Sequence, residues 1–312
     1  MHDAPASTCL MAAKGRWMQI SATGCFRAWR GLAAAVLGGL LVAACGGGGD
    51  GGGGGVPLIA AVTPSAPGTT TPPPATSGAS RTVTDSVGSK NVGVTYGLSI
   101  YLPPSYDTSD KRFPVIYALD GDAAYPPAGR FENLKAILER RGVQAILVGI
   151  GRTDRRTIDF TAPGYVAYHA FLAGELVPYV ESKYRADSGM RILTGLSLGG
   201  SMTGHALFME GATGTLTFTH FLSFEGSYQQ SGTEELAGKM YETMKGQVLP
   251  ATLFLARCSD TTACNYNAVG KVYADLQARH YAGFTLVLNT YETTHVGTDL
   301  PAFEDAIAMI FK

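Results

Sequence analysis

The stretch Ile192-Leu193-Thr194-Gly195-Leu196-Ser197-Leu198-Gly199-Gly200-Ser201 decides the fold of this chain. An apolar run rich in β-formers stops at a glycine, a serine follows with glycine two residues to either side, and Met202–Met209 continues with small and helix-favouring residues. The spacing predicts a strand, a very sharp turn and a helix, with Ser197 at the apex. A nucleophile on such a turn needs neighbours without bulk, because the strand and helix backbones nearly touch there. The turn lifts Oγ above the end of a sheet, and the N–H of Leu198 at the helix start points at any oxyanion that forms. With 40 glycines in the chain, a chance G-x-S-x-G is no surprise. This one is unique in the sequence and sits in the strand–turn–helix context the mechanism demands.

Working outward, apolar runs alternate with helical periods. Val92–Leu102 reads as an early antiparallel strand stopped by Pro103-Pro104. Further strands are expected at Phe113–Leu119, Gln144–Ile150, Met190–Leu193, Phe218–Phe224, Ala251–Ala256 and Phe284–Thr290. Helices are expected at Val166–Lys183, Tyr266–His280 and Pro301–Phe311. That alternation predicts an α/β fold with a mostly parallel central sheet and helices on both faces. In such folds chemistry gathers beyond the carboxyl ends of the strands.

A serine hydroxyl is a poor nucleophile unless an imidazole takes its proton and a carboxylate orients that imidazole. Both are expected downstream of Ser197. His169, His205 and His280 fall in expected helices and His220 in a strand. His295, just after the last strand, is the candidate base. Asp260 is the first carboxylate after the Ala251–Ala256 strand and is the candidate acid, with Glu225 and Glu292 as rivals. Serine, carboxylate and histidine then occur in the chain order of an α/β-hydrolase. Cys258 and Cys264 flank Asp260 and are expected to form a disulfide, since a two-thiol metal site lacks further His or Cys nearby. No metal or cofactor is expected. Tyr125, Phe224 and Tyr228 are candidate substrate contacts.

The first part of the chain reads differently. Arg27 and Arg30 precede the uncharged run Gly31–Ala44, too short to span a bilayer but suited to an export signal. It ends in Leu41-Val42-Ala43-Ala44-Cys45, which resembles a bacterial lipobox with Cys45 as the lipidated residue. Residues 45–80, rich in Gly, Pro and Thr, have too little apolar surface to order themselves and read as a tether. The expectation is an exported lipoprotein of the cell envelope, at the outer membrane or periplasmic face, touching the membrane through its lipid alone. The net charge of −1 and the lack of a basic block argue against a nucleic-acid partner. A hydrophobic content of 46% is ample for a sizeable core over residues 81–312.

Several further stretches are shared with one family. Leu119-Asp120-Gly121-Asp122 follows a Pro-Val-Ile-Tyr strand, and Arg156-Thr157-Ile158-Asp159-Phe160-Thr161 follows a Val-Gly-Ile strand. Phe171-Leu172-Ala173-Gly174-Glu175-Leu176-Val177-Pro178-Tyr179-Val180-Glu181 precedes Tyr184-Arg185 and the elbow. From about Val94 to the end, the chain resembles the Putative esterase family of α/β-hydrolases, which includes siderophore esterases, S-formylglutathione hydrolase, feruloyl esterases and mycolyltransferases. The resemblance implies Ser197 as nucleophile, His295 as base, Asp260 as acid, and the N–H groups of Leu198 and Asp122 as oxyanion hole. It implies hydrolysis of a small-molecule or polymer-linked ester through an acyl-enzyme. The alternatives are an acyltransferase of the same fold or an inactive binding lipoprotein. The chain departs from the family at Arg257, where a glycine is common, and at Glu225-Gly226-Ser227, where Ser-Pro-Ser is common. The cysteine pair is not a general family feature. Arg156 and Asp159 are expected to form a structural pair near the site.

Overall fold

The structure, a computed structural model, describes residues 78–312 and two short strands nearer the start, β1 (Cys9–Ala13) and β2 (Arg16–Ile20), which pair antiparallel. The run Gly31–Ala44, Cys45 and the tether as far as residue 77 lie outside the described residues. Two compact units divide the chain, Met1–Thr70 and Thr71–Lys312, and the second holds everything below. Among the described residues, no helix is long and apolar enough to cross a membrane.

An eight-stranded sheet forms the second unit's centre. Its strands are β3 (Arg81–Gly88), β4 (Thr95–Leu102), β5 (Phe113–Ala118), β6 (Ile146–Ile150), β7 (Ala186–Leu196), β8 (His220–Phe224), β9 (Thr252–Cys258) and β10 (Thr285–Tyr291), in the spatial order β10-β9-β8-β7-β5-β6-β4-β3. β3 and β4 form an antiparallel hairpin, and β4 also meets β6 antiparallel. The rest are parallel. This is the expected α/β-hydrolase architecture.

Alternation along β5 shows why both faces are covered. Val115, Tyr117 and Leu119 face one buried cluster, and Ile116 and Ala118 face the other. The second cluster is closed by α1 (Arg130–Arg140) and α8 (Asp299–Ile310). Each sends an i, i+3, i+4 stripe inward, Phe131, Leu134, Ile137 and Leu138 from one and Ala302, Phe303, Ala306 and Ile307 from the other. The first cluster is closed by α3 (Gly164–Phe171), α4 (Val177–Lys183), α5 (Leu198–Thr213), α6 (Thr233–Met244) and α7 (Tyr266–Gln277). A short helix, α2 (Arg156–Asp159), precedes α3.

The helix expected over Val166–Lys183 is interrupted by a π-helical turn over Leu172–Leu176. Pro178 has no N–H to give to Gly174, and the widened turn absorbs that loss without a break. Phe171, Leu172, Leu176 and Val180 all remain fully buried on the shared face. His280, expected within a helix, lies beyond the end of α7 with a left-handed φ of 51°.

Candidate active site

Three parallel strands end side by side: β7 at Leu196, β8 at Phe224 and β9 at Cys258. Ser197 leaves β7 at φ 61° and ψ −118°, a backbone state costing about 1–3 kcal/mol for a residue with a Cβ. Its neighbours show why the turn requires glycine. A Cβ on Gly195 would stand 2.2 Å from Gly199 O, and one on Gly200 would stand 2.4 Å from Phe224 O. Three backbone bonds lock the apex. Ser197 N–H donates to Phe224 O at 2.9 Å, and Ser197 O accepts from Ser201 N–H at 3.0 Å and from Ser227 N–H at 3.1 Å. The side chain is partly exposed, and Ser227 Oγ lies 3.5 Å from Ser197 Oγ.

Leu198 opens α5, so its N–H has no intrahelical acceptor. Among the described residues nothing accepts from it, nor from Asp122 N–H. Both are therefore free donors at the strand ends, as the oxyanion-hole reading requires. Asp122 fastens its own loop. Its carboxylate accepts from Arg152 N–H at 2.9 Å, from Thr153 N–H at 3.0 Å and from the Thr153 hydroxyl.

The acid expectation is corrected by the geometry. His295 Nδ1 lies 2.7 Å from Oε2 of Glu225, whose carboxylate is fully buried. Glu225 follows β8 directly, in a left-handed conformation at φ 48°. Its Oε1 accepts from Cys258 N–H at 2.7 Å, and its Oε2 also accepts from Asn265 N–H at 3.0 Å. Two backbone donors and the imidazole thus fix both oxygens. Asp260 is exposed and turned on itself: Oδ1 accepts from Thr262 N–H at 2.8 Å, Thr262 Oγ1 at 2.7 Å and Ala263 N–H at 3.0 Å. Those contacts, led by the Ala263 N–H, hold its carboxyl below the usual carboxylate range. An Asx turn has claimed it. Glu292 is exposed as well and accepts from Ser259 Oγ.

Cys258 and Cys264 are joined as a disulfide, with Cα atoms 6.0 Å apart. Ligand atoms of Glu225, Cys258 and Cys264 lie within 4.8 Å of one another. The sulfurs are bonded to each other, so neither is a free thiolate for a metal.

The candidate substrate contacts fare unevenly. Phe224 is fully buried and packs edge-on against Phe254, 6.2 Å between centroids. Tyr228 is 5% exposed, with its hydroxyl 2.6 Å from Ser223 Oγ. Both are core residues, because the side chains at this strand end turn into the sheet's two buried faces. Tyr125 is half-buried, and its hydroxyl donates to Asp299, which also holds the buried guanidinium of Arg130 at 2.9 Å. A cavity of about 880 Å³ begins at Tyr228–Thr233 and runs between α6 and α7; Ser197 and His295 are not among its walls.

Arg156 and Asp159 do not pair with each other. Arg156 donates to Asp120 Oδ1 at 3.1 Å and Oδ2 at 3.0 Å, and to Leu196 O at 3.1 Å. Asp159 instead pairs with Arg155 at 2.9 Å and accepts from the Tyr96 hydroxyl at 2.8 Å. Residues four apart on a single turn face one another, which joins 155 to 159 and leaves 156 to face the elbow. Burial raises the Asp120 carboxyl and Arg156 opposes that rise. Asp120 Oδ2 would also lie 3.0 Å from a Cβ on Gly199, so the ion pair supports the elbow from beneath.

Comparison with known proteins bears on the family resemblance and on the fold. Residues 89–209 match the family described as Putative esterase. An uncharacterized protein of Bacillus subtilis, YbbA, is 26% identical over 144 residues, 39% of this chain, and the aligned part spans only 56% of that relative. Among solved structures, an IroE-like serine hydrolase from Shewanella oneidensis superposes with a TM-score of 0.63 at 20% identity, covering 74% of this chain and 80% of the other. The siderophore hydrolase EstA from Aspergillus nidulans gives 0.60 at 20% identity, covering 73% and 93%. Segment 89–209 is thus similar to the Putative esterase family, and the fold of the second unit is that of the α/β-hydrolases.

Proposed function

We propose that this chain is a serine esterase that hydrolyses carboxylic esters through an acyl-enzyme, with Ser197, His295 and Glu225 as its triad. One observation carries the reading: a strained serine elbow with two free N–H donors stands beside a strand end where a buried carboxylate holds an imidazole. In this mechanism Ser197 Oγ attacks the ester carbonyl while His295 Nε2 takes its proton. The Nδ1–H donates to Glu225, which fixes the tautomer and stabilises the imidazolium. The N–H groups of Leu198 and Asp122 receive the developing oxyanion. His295 then protonates the departing alkoxide, and a water molecule, deprotonated by the same imidazole, releases the acid and restores Ser197. Ser197 and His295 share no hydrogen bond in the free protein, a common state for catalytic pairs that close on substrate.

The substrate class proposed is a small-molecule or polymer-linked ester, since the similar folds include hydrolases named for siderophores. A fluorophosphonate probe should label the purified chain at Ser197, and an ester panel of acyl, aryl and siderophore-type substrates should give turnover. Absence of both labelling and turnover would leave a binding protein instead.

The same proposal extends to the cell. Lipidation at Cys45 would hold the esterase at the envelope on the tether over residues 45–80. In a Gram-negative host, Cys45→Ala should release the protein from membrane fractions with its kcat unchanged. A variant that still sediments with membranes removes the lipoprotein reading.

A further inference from the structure

Glu225 is held by the backbone of a single loop, and that loop is closed by a covalent bond. The donor to Oε1 is Cys258 N–H, at the last residue of β9. The donor to Oε2 is Asn265 N–H, one residue past Cys264 and at the start of α7. The Cys258–Cys264 disulfide joins the two ends of the segment that carries both donors. Its separation along the chain is only 6, so its chain-entropy contribution to the fold as a whole is at the small end. It ties together the two ends of the segment whose N–H groups grip one carboxylate.

Asn265 extends the same grip toward the nucleophile. Its Nδ2 donates to Glu225 O at 2.7 Å and to Ser227 Oγ at 3.3 Å, and Ser227 N–H in turn donates to Ser197 O at 3.1 Å. One segment, 258–265, therefore contacts the acid directly and the serine turn through Ser227.

We infer that the Cys258–Cys264 disulfide and Asn265 are positioning residues that hold Glu225 against His295, so that opening the bridge lowers turnover without unfolding the domain. This rests on the esterase reading above. A dithiol reagent opens the bridge by thiolate attack on the Cys264 sulfur, the partly exposed end, since Cys258 is fully buried. The S–S bond breaks to a mixed disulfide with Cys264, and the released Cys258 thiolate is protonated. The reagent's second thiolate then attacks its own sulfur in that mixed disulfide. This releases Cys264 as a thiol, and the reagent leaves as a cyclic disulfide. Two electrons and two protons have moved to the protein.

The test compares the native chain oxidised, reduced with dithiothreitol and reoxidised, alongside a Cys258→Ser, Cys264→Ser double variant. Three quantities are read: kcat and KM on an aryl ester, the downfield proton resonance of the His295 Nδ1–H···Glu225 bond, and the thermal melt. Reduction should lower kcat about 10- to 100-fold, the scale of a misplacement near 1 Å. KM should stay within about twofold, as expected when transition-state rather than uniform binding is lost. The downfield resonance should broaden or vanish, the melt should remain cooperative, and reoxidation should restore kcat. Unchanged kcat and an unchanged resonance in a chain whose Cys258 and Cys264 both label as free thiols would overturn the inference. If the double variant fails to fold, the reduction cycle on the native chain gives the same reading. Failure of the oxidised chain to take a fluorophosphonate at Ser197 would sink the esterase reading instead, and the resonance would still report on the clamp.

Discussion

Two neighbouring parallel strands, β8 and β9, each deliver a carboxylate just past their ends, and the two carboxylates have opposite fates. Glu225 leaves β8 with a left-handed backbone, is fully buried, and spends both oxygens on donors from other segments. Asp260 lies two residues beyond β9, faces solvent, and spends one oxygen on its own loop. Position after a strand is thus not what makes an acid. A carboxylate orients an imidazole only when its surroundings hold it, and here those surroundings come from a loop some 40 residues away. Local donors hold Asp260 Oδ1 in its own turn, and the His295 imidazole pairs with Glu225 instead.

Replacing Ser197 fixes the scale on which the two carboxylates are compared. Ser197→Ala should lower kcat on an aryl ester by about 10⁴- to 10⁶-fold, as loss of a nucleophile does, with the melt unchanged. Near-native turnover would dissolve the comparison, since neither carboxylate would then serve a triad.

A third carboxylate sharpens the contrast from the side of stability. Asp120 is as buried as an acid need be, yet it faces Arg156 and the elbow's underside rather than a histidine. Arg156→Met should leave that charge without its partner and cost roughly 3 kcal/mol, the low end for breaking a buried pair whose guanidinium is partly exposed. Denaturant unfolding of the variant reads this. A loss below the error of the method would mean that Asp120 and Arg156 contribute little to the elbow.

The histidines divide along the same line. His205 is fully buried with Thr233 Oγ1 as its partner, and burial lowers its pKa to about 4 from 6.5. As pH falls through that window the unfolded chain takes up a proton that the folded chain refuses, so stability declines. Between pH 7 and 4.5 this one residue should account for about 2–3 kcal/mol of lost stability. Chemical denaturation at the two pH values, on the native chain and on His205→Asn, should show a smaller acid loss in the variant. Equal losses would mean that His205 is protonated in the fold.

The smallest effect belongs to the Asp260 loop itself. Thr262→Ala removes one donor to Asp260 without touching Glu225 or His295. Its kcat should stay within about twofold of native, as for a surface change away from any catalytic contact. A larger fall would show that the turn at Asp260 matters to the site.

Much of this was legible from residues alone, for a physical reason in each case. The elbow was legible because glycine at 195, 199 and 200 is demanded by contacts that the motif itself encodes. His295 was legible because the other histidines of the domain fall in expected regular structure, even though His280 proves to lie just outside its helix. The parallel sheet followed from its apolar runs. The sequence reading puts the acid at Asp260 rather than Glu225: both satisfy chain order and strand-end placement, and only the long-range donors Cys258 N–H and Asn265 N–H separate them. Phe224 and Tyr228 misled for a related reason. Proximity to a strand end says nothing of which way a side chain turns, and these two turn inward.

The most direct measurement sets Glu225→Gln beside Asp260→Asn, with kcat on one aryl ester and the melt of each recorded under identical conditions. An amide at 225 permits the wrong imidazole tautomer and cannot stabilise the imidazolium, so Glu225→Gln should lower kcat by up to about 10⁴-fold, the scale seen when the acid of a serine protease triad is neutralised. Asp260→Asn should stay close to native, since an amide oxygen can still accept in the turn. A crippled Asp260→Asn beside an active Glu225→Gln would contradict the account and return the acid's role to Asp260.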